Sequence, residues 1–308
     1  MAKHTTVLLH EAIEALVTDV NGVYVDATFG RGGHTRALLE KISHQGVVIA
    51  IDKDPDAVNA GRKNFSDDNR LTLVHGSFAD ISAFVGQMGG SGKLSGILLD
   101  LGVSSPQLDQ ADRGFSFLRD GPLDMRMDTT QGISAAQWLA DAPESEIASV
   151  IKDYGEERFA RRMAGAIVRE RAIMPIVSTL QLASILSAAH PAWERGKHPA
   201  TKAFQAIRIF INQELTDLES LLDQVIDLLR VGGRLVVISF HSLEDRRVKR
   251  FIRDQERGTV LPKHLPVPDI ERGVKLRKLG KAIKPSEVEV DANVRSRSAV
   301  MRVAERVA

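Results

Sequence analysis

Val25–Glu40 reads VDATFGRGGHTRALLE: a short apolar segment, a turn with glycine at positions 30, 32 and 33, and an uninterrupted helical pattern. A strand, a glycine turn and a helix in that order let backbone approach a ligand closely, because glycine has no Cβ in the way. The spacing is G-x-G-G. A dinucleotide fingerprint would place its third glycine at position 35, where Thr35 stands, so NAD is disfavoured. Asp26, at the end of the strand, sets a carboxylate beside the turn. That charge opposes a pyrophosphate and suits a ligand bearing an ammonium or sulfonium group, and S-adenosylmethionine carries both.

Working outward, short apolar runs alternate with helical patterns, as in βαβ units. Gly22–Ala27, Val47–Ile51, Leu71–Val74 and Gly96–Leu101 read as strands, with helices at Thr35–Ile42 and Pro55–Asn64 between them. The order implies a parallel α/β sheet. Each strand ends on a residue with a use. Asp52, twenty residues after Gly32, stands where an acid accepts hydrogen bonds from both ribose hydroxyls of an adenosine. Phe78 follows the third strand, placed to cover an adenine face, and Asp100 with Gly102 ends the fourth, where the reacting group belongs.

From about Asp109 to Ala200 the pattern turns helical. Ser134 caps Ala135–Leu139, and Glu144–Tyr154, Arg158–Arg171 and Thr179–Ala189 follow, the last closed by His190 and Pro191. We read 109–200 as an inserted helical domain, interrupting a discontinuous sheet domain formed by 1–108 and 201–308. The sheet resumes after one long amphipathic helix, Thr201–Leu229, with strands at Arg234–Phe240 and Ser298–Val303. Arg246–Pro285 between those strands reads as a partly irregular basic arm.

The 308 residues hold no cysteine, which removes disulfides and thiolate metal sites together. No run approaches the roughly 18 apolar residues of a membrane span, and Met1–His10 has no signal-peptide pattern, so a cytoplasmic protein is expected. The net charge of +1 hides an asymmetry: His241 to the end carries 17 Lys and Arg against 10 Asp and Glu, a net of +7, leaving −6 on the first 240 residues. A basic end on a near-neutral body suggests a polyanionic partner; a solvated basic surface is the plainer reading. His10 and Glu11 lack the second histidine of H-E-x-x-H, since Glu14 stands there, and His4, His34 and His241 have no ligand-like spacing. No catalytic metal is expected.

Asp100–Asp109 (DLGVSSPQLD), with Val7–Glu11 (VLLHE), Asp26–His34 (DATFGRGGH), Arg113–Asp128, His198–Ile209, Gly232–Asp245 and Arg295–Glu305, closely resembles the bacterial RsmH (MraW) family. The resemblance runs nearly end to end. It implies a Rossmann-like class I S-adenosylmethionine-dependent methyltransferase with an inserted helical domain. It further implies methylation of N4 of a cytosine, cytosine 1402, in the decoding centre of 16S ribosomal RNA within the small ribosomal subunit, tuning translation fidelity. The family's cofactor contacts fall on Gly32, Gly33, His34, Asp52, Phe78, Asp100 and Gln107. No catalytic residue is implied, and a homodimer is compatible with the sequence without being derivable from it.

Other assignments stay open at this level. Phe115 and Phe117 fit either base stacking or the core, and Arg113, Arg119 and Arg126 fit either phosphates or their acidic neighbours. A DNA amino-methyltransferase would put Asn or Asp before Pro-Pro-aromatic in the fourth-strand loop, and D-L-G-V-S lacks that pattern. A ribosome assembly factor using the cofactor pocket as a sensor is the alternative from a different class.

Overall fold

The computed structural model describes residues 6–89, 93–192, 198–258 and 273–308. It divides into two compact units, Met1–Gly102 with Leu215–Ala308, and Val103–Glu214.

The first unit is built on a seven-stranded sheet ordered β3-β2-β1-β4-β5-β7-β6. Its strands are β1 (Val23–Asp26), β2 (Val47–Asp52), β3 (Leu71–His75), β4 (Leu94–Asp100), β5 (Leu229–Ser239), β6 (Leu276–Lys278) and β7 (Val300–Arg306). The first five are parallel; β7 runs antiparallel to β5, and β6 antiparallel to β7. Side chains alternate between the faces of a strand, so the continuous apolar runs fill two cores at once. Val25, Ile49, Ile97, Leu99, Leu235 and Val237 pack under α4 (Ile81–Gln87), α11 (Glu214–Leu228) and α12 (Ser242–Arg257). Tyr24, Val48, Leu98, Val236 and Ile238 pack with α1 (Leu9–Leu16) and α2 (Gly33–Lys41). This is a doubly wound, Rossmann-like sheet. Its order reverses between β1 and β4, and ligands bind such sheets outside the carboxyl ends of the strands at that point.

Several local signals read from sequence act as expected. Helix α3 runs Pro55–Asn64, with Pro55 in its first turn and the Asp54 carboxylate accepting the Asp56 N–H at 3.0 Å. Two elements differ. The helix expected over Thr201–Leu229 is two, α10 (Thr201–Ile211) and α11, parted at Asn212 and Gln213. Asn212 accepts the Met127 N–H at 2.6 Å and donates to the Met125 carbonyl at 2.8 Å, while Gln213 has φ +54°. Neither residue is a helix breaker by type, so periodicity alone runs through them. The basic arm is also more regular than expected. Ser242–Arg257 is a sixteen-residue helix whose Leu243, Val248 and Ile252 are buried, a thin stripe among charges, and Leu276–Lys278 is a strand. Positions 259–272 of the arm lie outside the described residues, as does His4.

The second unit is helical: α5 (Ser105–Asp109), α6 (Ala135–Asp141), α7 (Glu144–Gly155), α8 (Ala160–Ile173), α9 (Thr179–Ala189) and α10. Ser134 and Gln137 form a reciprocal capping box at α6, and Ser178 caps α9. Its own core includes Trp138, Ile147, Ile151, Met163, Ile167, Leu182, Leu186, Phe204 and Ile207. The sequence reading set the joins near Asp109 and Ala200. Here α10 stays with the helical unit because Ala203, Phe204, Ala206 and Ile207 fill that core, while α11 belongs to the sheet. Among the described residues, no helix is long and apolar enough to cross a membrane.

Candidate active site

At the carboxyl ends of β1, β2 and β4 stand Asp26, Asp52 and Asp100, three carboxylates around the crevice where strand order reverses. The turn after β1 reaches α2 through Gly30 (φ +55°) and Gly32 (φ +74°), backbone conformations that side chains with a Cβ adopt at a cost. A Cβ on Gly32 would lie 2.8 Å from the rings of Phe29 and Phe65, and one on Gly33 would lie 1.9 Å from Thr6 Oγ1. Packing inside the protein therefore demands these glycines, in addition to any ligand they admit.

Asp26 is buried and turned into the turn it follows: it accepts the Thr35 hydroxyl at 2.6 Å and the Thr28 N–H at 3.3 Å. Burial pushes its carboxyl up to about 6, against those hydrogen bonds. Asp52 accepts the Gly30 N–H at 2.6 Å on one oxygen and the Asp54 N–H at 2.8 Å on the other. One carboxylate thus ties the end of β2 to the glycine turn, with lone pairs left over. Its carboxyl is also pushed up to about 6, first by burial and then by the neighbouring Asp54 and Asp26 charges.

Asp100 is held by its backbone, whose N–H donates to Thr28 Oγ1 at 2.6 Å. Its Oδ1 is buried and, among the described residues, accepts no hydrogen bond. Such an acceptor is expensive to leave unmade, and it marks a place where a donor from a ligand belongs. Burial, then the charges of Asp26 and Glu244, hold its carboxyl well above the usual range. His34, in the first turn of α2, is buried with Nδ1 3.7 Å from Asp100 Oδ2.

Phe78 opens the short helix after β3, half-buried on the α11 side of the sheet. Its neighbour Ser77 donates to Asp217 at 2.5 Å, and Lys53 pairs with the same carboxylate. The loops after β2 and β3 are thereby pinned to α11. Sequence pattern does not single out Thr28, the Thr35 hydroxyl or the Lys53–Asp217–Ser77 group as parts of the site; the threonines of the D-A-T-F-G-R-G-G-H-T run are the available signal.

Six of the seven expected contact residues, Gly32, Gly33, His34, Asp52, Phe78 and Asp100, thus stand at this one end of the sheet. Gln107 belongs to the helical unit, where it is buried and its Oε1 accepts the Ser104 N–H at 2.8 Å, closing the cap of α5.

The MraW methylase family matches residues 1–307. The chain belongs to the MraW methylase family. This methylase is dependent on S-adenosylmethionine and has the Rossmann-like class I fold with a helical unit between β4 and β5. It is 58% identical over 306 residues to a protein of Chromohalobacter salexigens, covering 99% of this chain and 92% of that one. It is 55% identical over 308 residues to one of Legionella pneumophila strain Paris, covering all of both chains. A Marinomonas protein is 54% identical over 307 residues, covering 100% of this chain and 98% of that one. All three relatives are named ribosomal RNA small subunit methyltransferase H.

The other residues considered for the methylase's substrate divide clearly. Phe117 packs on His198 and Phe204 with ring centroids 4.6 and 4.7 Å apart and serves the helical core, and Phe115 is buried with the Arg113 guanidinium over its ring. Arg113 is buried and donates to the Met127 carbonyl at 2.9 Å, and Arg126 forks onto Asp124 with two bonds of 2.8 Å. Arg119 is exposed. His241 stands at the N-terminal end of α12, its Nε2 3.0 Å from Glu244, and among the described residues neither ring nitrogen finds a hydrogen-bond partner.

Proposed function

We propose that the chain transfers the methyl group of S-adenosylmethionine to N4 of a cytosine in 16S ribosomal RNA, cytosine 1402 of the decoding centre, in the cytoplasm. The relatives' shared name supports the ribosomal RNA substrate. The atom and nucleotide follow the resemblance of the D-L-G-V-S-S-P-Q-L-D loop. The observation that carries the chemistry is the unmet acceptor Asp100 Oδ1 at the switch point, flanked by Asp26 and Asp52.

The residues present fit the cofactor. Asp52 would take the two ribose hydroxyls on lone pairs left by Gly30 and Asp54, and Gly32, Gly33 and His34 would form the wall beside it. Phe78 would cover the adenine, and Asp26 would supply the negative field that a cationic ligand needs. Gln107 is assigned to the set by the family resemblance alone, and we assign substrate recognition to the helical unit. When bound, S-adenosylmethionine supplies an activated methyl group on a sulfonium, so no metal is required.

Cytosine's exocyclic amine is a weak nucleophile because its lone pair is delocalised into the ring. The protein's task is to hold the nitrogen in line and to draw its hydrogens out of the ring plane with an acceptor, for which the β4 loop is placed. Positioning of this kind is worth roughly 7–11 kcal/mol. Once methylated, the nitrogen is cationic and acidic, and water suffices to take its proton. The base must first leave its stack to reach a buried acceptor.

The test is transfer of labelled methyl to unmodified small subunits and to protein-free ribosomal RNA, with nucleosides separated after digestion. Label in N4-methylcytidine is expected; label in another nucleoside, or in none, rejects the assignment. Asp52→Ala distinguishes enzyme from assembly factor, since only the enzyme loses its effect on ribosomes.

A further inference from the structure

On the flank of the sheet unit, between α12 and the β6–β7 edge, lies a cavity of about 260 Å³ that the methyl-transfer chemistry does not use. Its floor is aliphatic: Ile252 from the buried stripe of α12, Leu279 just past β6, and Val303 from β7. Its rim is cationic, formed by Lys249, Arg253, Lys278, Lys281 and Arg302, with Glu256 the one carboxylate among the lining residues. Geometry explains why the cations converge. Lys249, Arg253 and Glu256 sit at i, i+4 and i+7 of one helix, hence on one face, above Ile252. Lys278 and Lys281 flank Gly280, whose φ of +69° turns the chain sharply after the edge strand.

The rim is organised. Arg302 is fixed in place by Asp245 through bonds of 2.6 and 2.9 Å, and Glu256 accepts the Lys278 backbone N–H at 3.2 Å. Arg253 lies against Asp254. Lys249, Lys278 and Lys281 have no acidic partner among the described residues and are exposed. An aliphatic slot of this size under three lysine ammonium groups that lack an acidic partner among the described residues suits a ligand with a flat, weakly polar body and an anionic end. One nucleotide of a single-stranded RNA segment has that form, its base against the aliphatic floor and its phosphate on the lysines.

We infer that this cavity is a nucleotide-binding pocket for the substrate RNA, gripping one residue of the strand away from the methylated base. The inference rests on the ribosomal RNA reading above. It also gives the net +7 of the segment after Phe240 a place to act: the pocket positions the RNA without reading its sequence.

The experiment measures binding of the full chain to unmodified 16S ribosomal RNA across a salt series, with methyl transfer to small subunits alongside. Lys278→Ala with Lys281→Ala removes the contacts to that one phosphate. Affinity should drop roughly tenfold and the slope of log K against log salt should flatten by about 0.7. The KM for subunits should rise in step, with kcat and S-adenosylmethionine affinity unchanged. Ala282→Phe fills the exposed lip of the cavity with no change in charge and should weaken RNA binding while leaving the salt slope alone. Arg62→Ala with Lys63→Ala, exposed cations of α3, is the control and should change neither.

The pocket is overturned if Ala282→Phe binds RNA as the unaltered chain does, because the lysines would then act only as diffuse surface charge. It is overturned equally if the control variant loses as much, or if the variants change binding to phosphatidylglycerol vesicles and not to RNA. Unaltered chain that binds RNA but transfers no methyl sinks the substrate reading instead, and the pocket is then judged on the binding series alone.

Discussion

Asp26 and Asp52 are held near 6 by burial, so the site ionises within a pH range that experiments reach easily. The sign follows from linkage: both carboxyls are raised above 3.8, so the folded chain keeps protons that the unfolded chain releases. Their contribution to stability is fully present below about pH 4 and declines as pH rises through about 6. In the proposed site S-adenosylmethionine would reverse the balance, since a cation and two ribose hydroxyls favour the ionised carboxylates. Its affinity is therefore expected to strengthen from pH 5 to pH 7.5, with thermal stabilisation by the cofactor growing over the same range. A cofactor-induced shift in melting temperature that is flat across that range would contradict the assignment. Asp52→Ala should raise the cofactor Kd roughly hundredfold by calorimetry, from hydrogen bonds to a charged acceptor worth about 1.5–3 kcal/mol each. At Gly32, alanine meets both a left-handed φ and two phenylalanine rings, so Gly32→Ala should lose about 2 kcal/mol or more of stability by thermal melt.

The elements were unequally legible. Strands β1 to β4 and helix α3 were readable because their hydrophobic pattern and their boundary residues agree: Pro55 opens α3, and glycines follow β1 and β3. The break between α10 and α11 was not readable. It depends on Asn212, whose amide bridges backbone groups of Met125 and Met127, some 85 positions away in sequence. Asn212→Ala leaves the Met127 N–H without that acceptor in a buried setting. A loss of about 2 kcal/mol is expected in denaturant titration, and a loss below about 0.5 kcal/mol would show that the amide bridge does not hold the break. Helix α12 was hidden for another reason. Its buried stripe is three residues wide against a run of charges, and composition outweighed periodicity. Its first turn carries Glu244, which accepts the backbone N–H groups of Phe240 and His241 at 2.8 and 3.2 Å, an end-capping role visible only once the helix is known.

On the scale of the molecule, each unit has its own apolar core, and the helical one returns to the sheet unit at Glu214. A fragment spanning Val103–Glu214 is expected to give a helical circular dichroism spectrum and one cooperative thermal transition. A featureless melt would show that its core depends on the rest of the chain. By itself the sequence determined the βαβ order, the three carboxylates at strand ends and the glycine turn, because these are local features written in spacing and residue type. It also carried the family, through motifs spread along nearly the whole chain. Only the tertiary structure decided that packing against Phe29, Phe65 and Thr6 requires Gly32 and Gly33. The same holds for Phe117 as a core residue, for Arg113 and Arg126 as occupied by protein partners, and for α10 as part of the helical core. Each of those outcomes depends on contacts between residues distant in the chain, where burial and unmet hydrogen bonds outweigh the local preferences that a sequence displays.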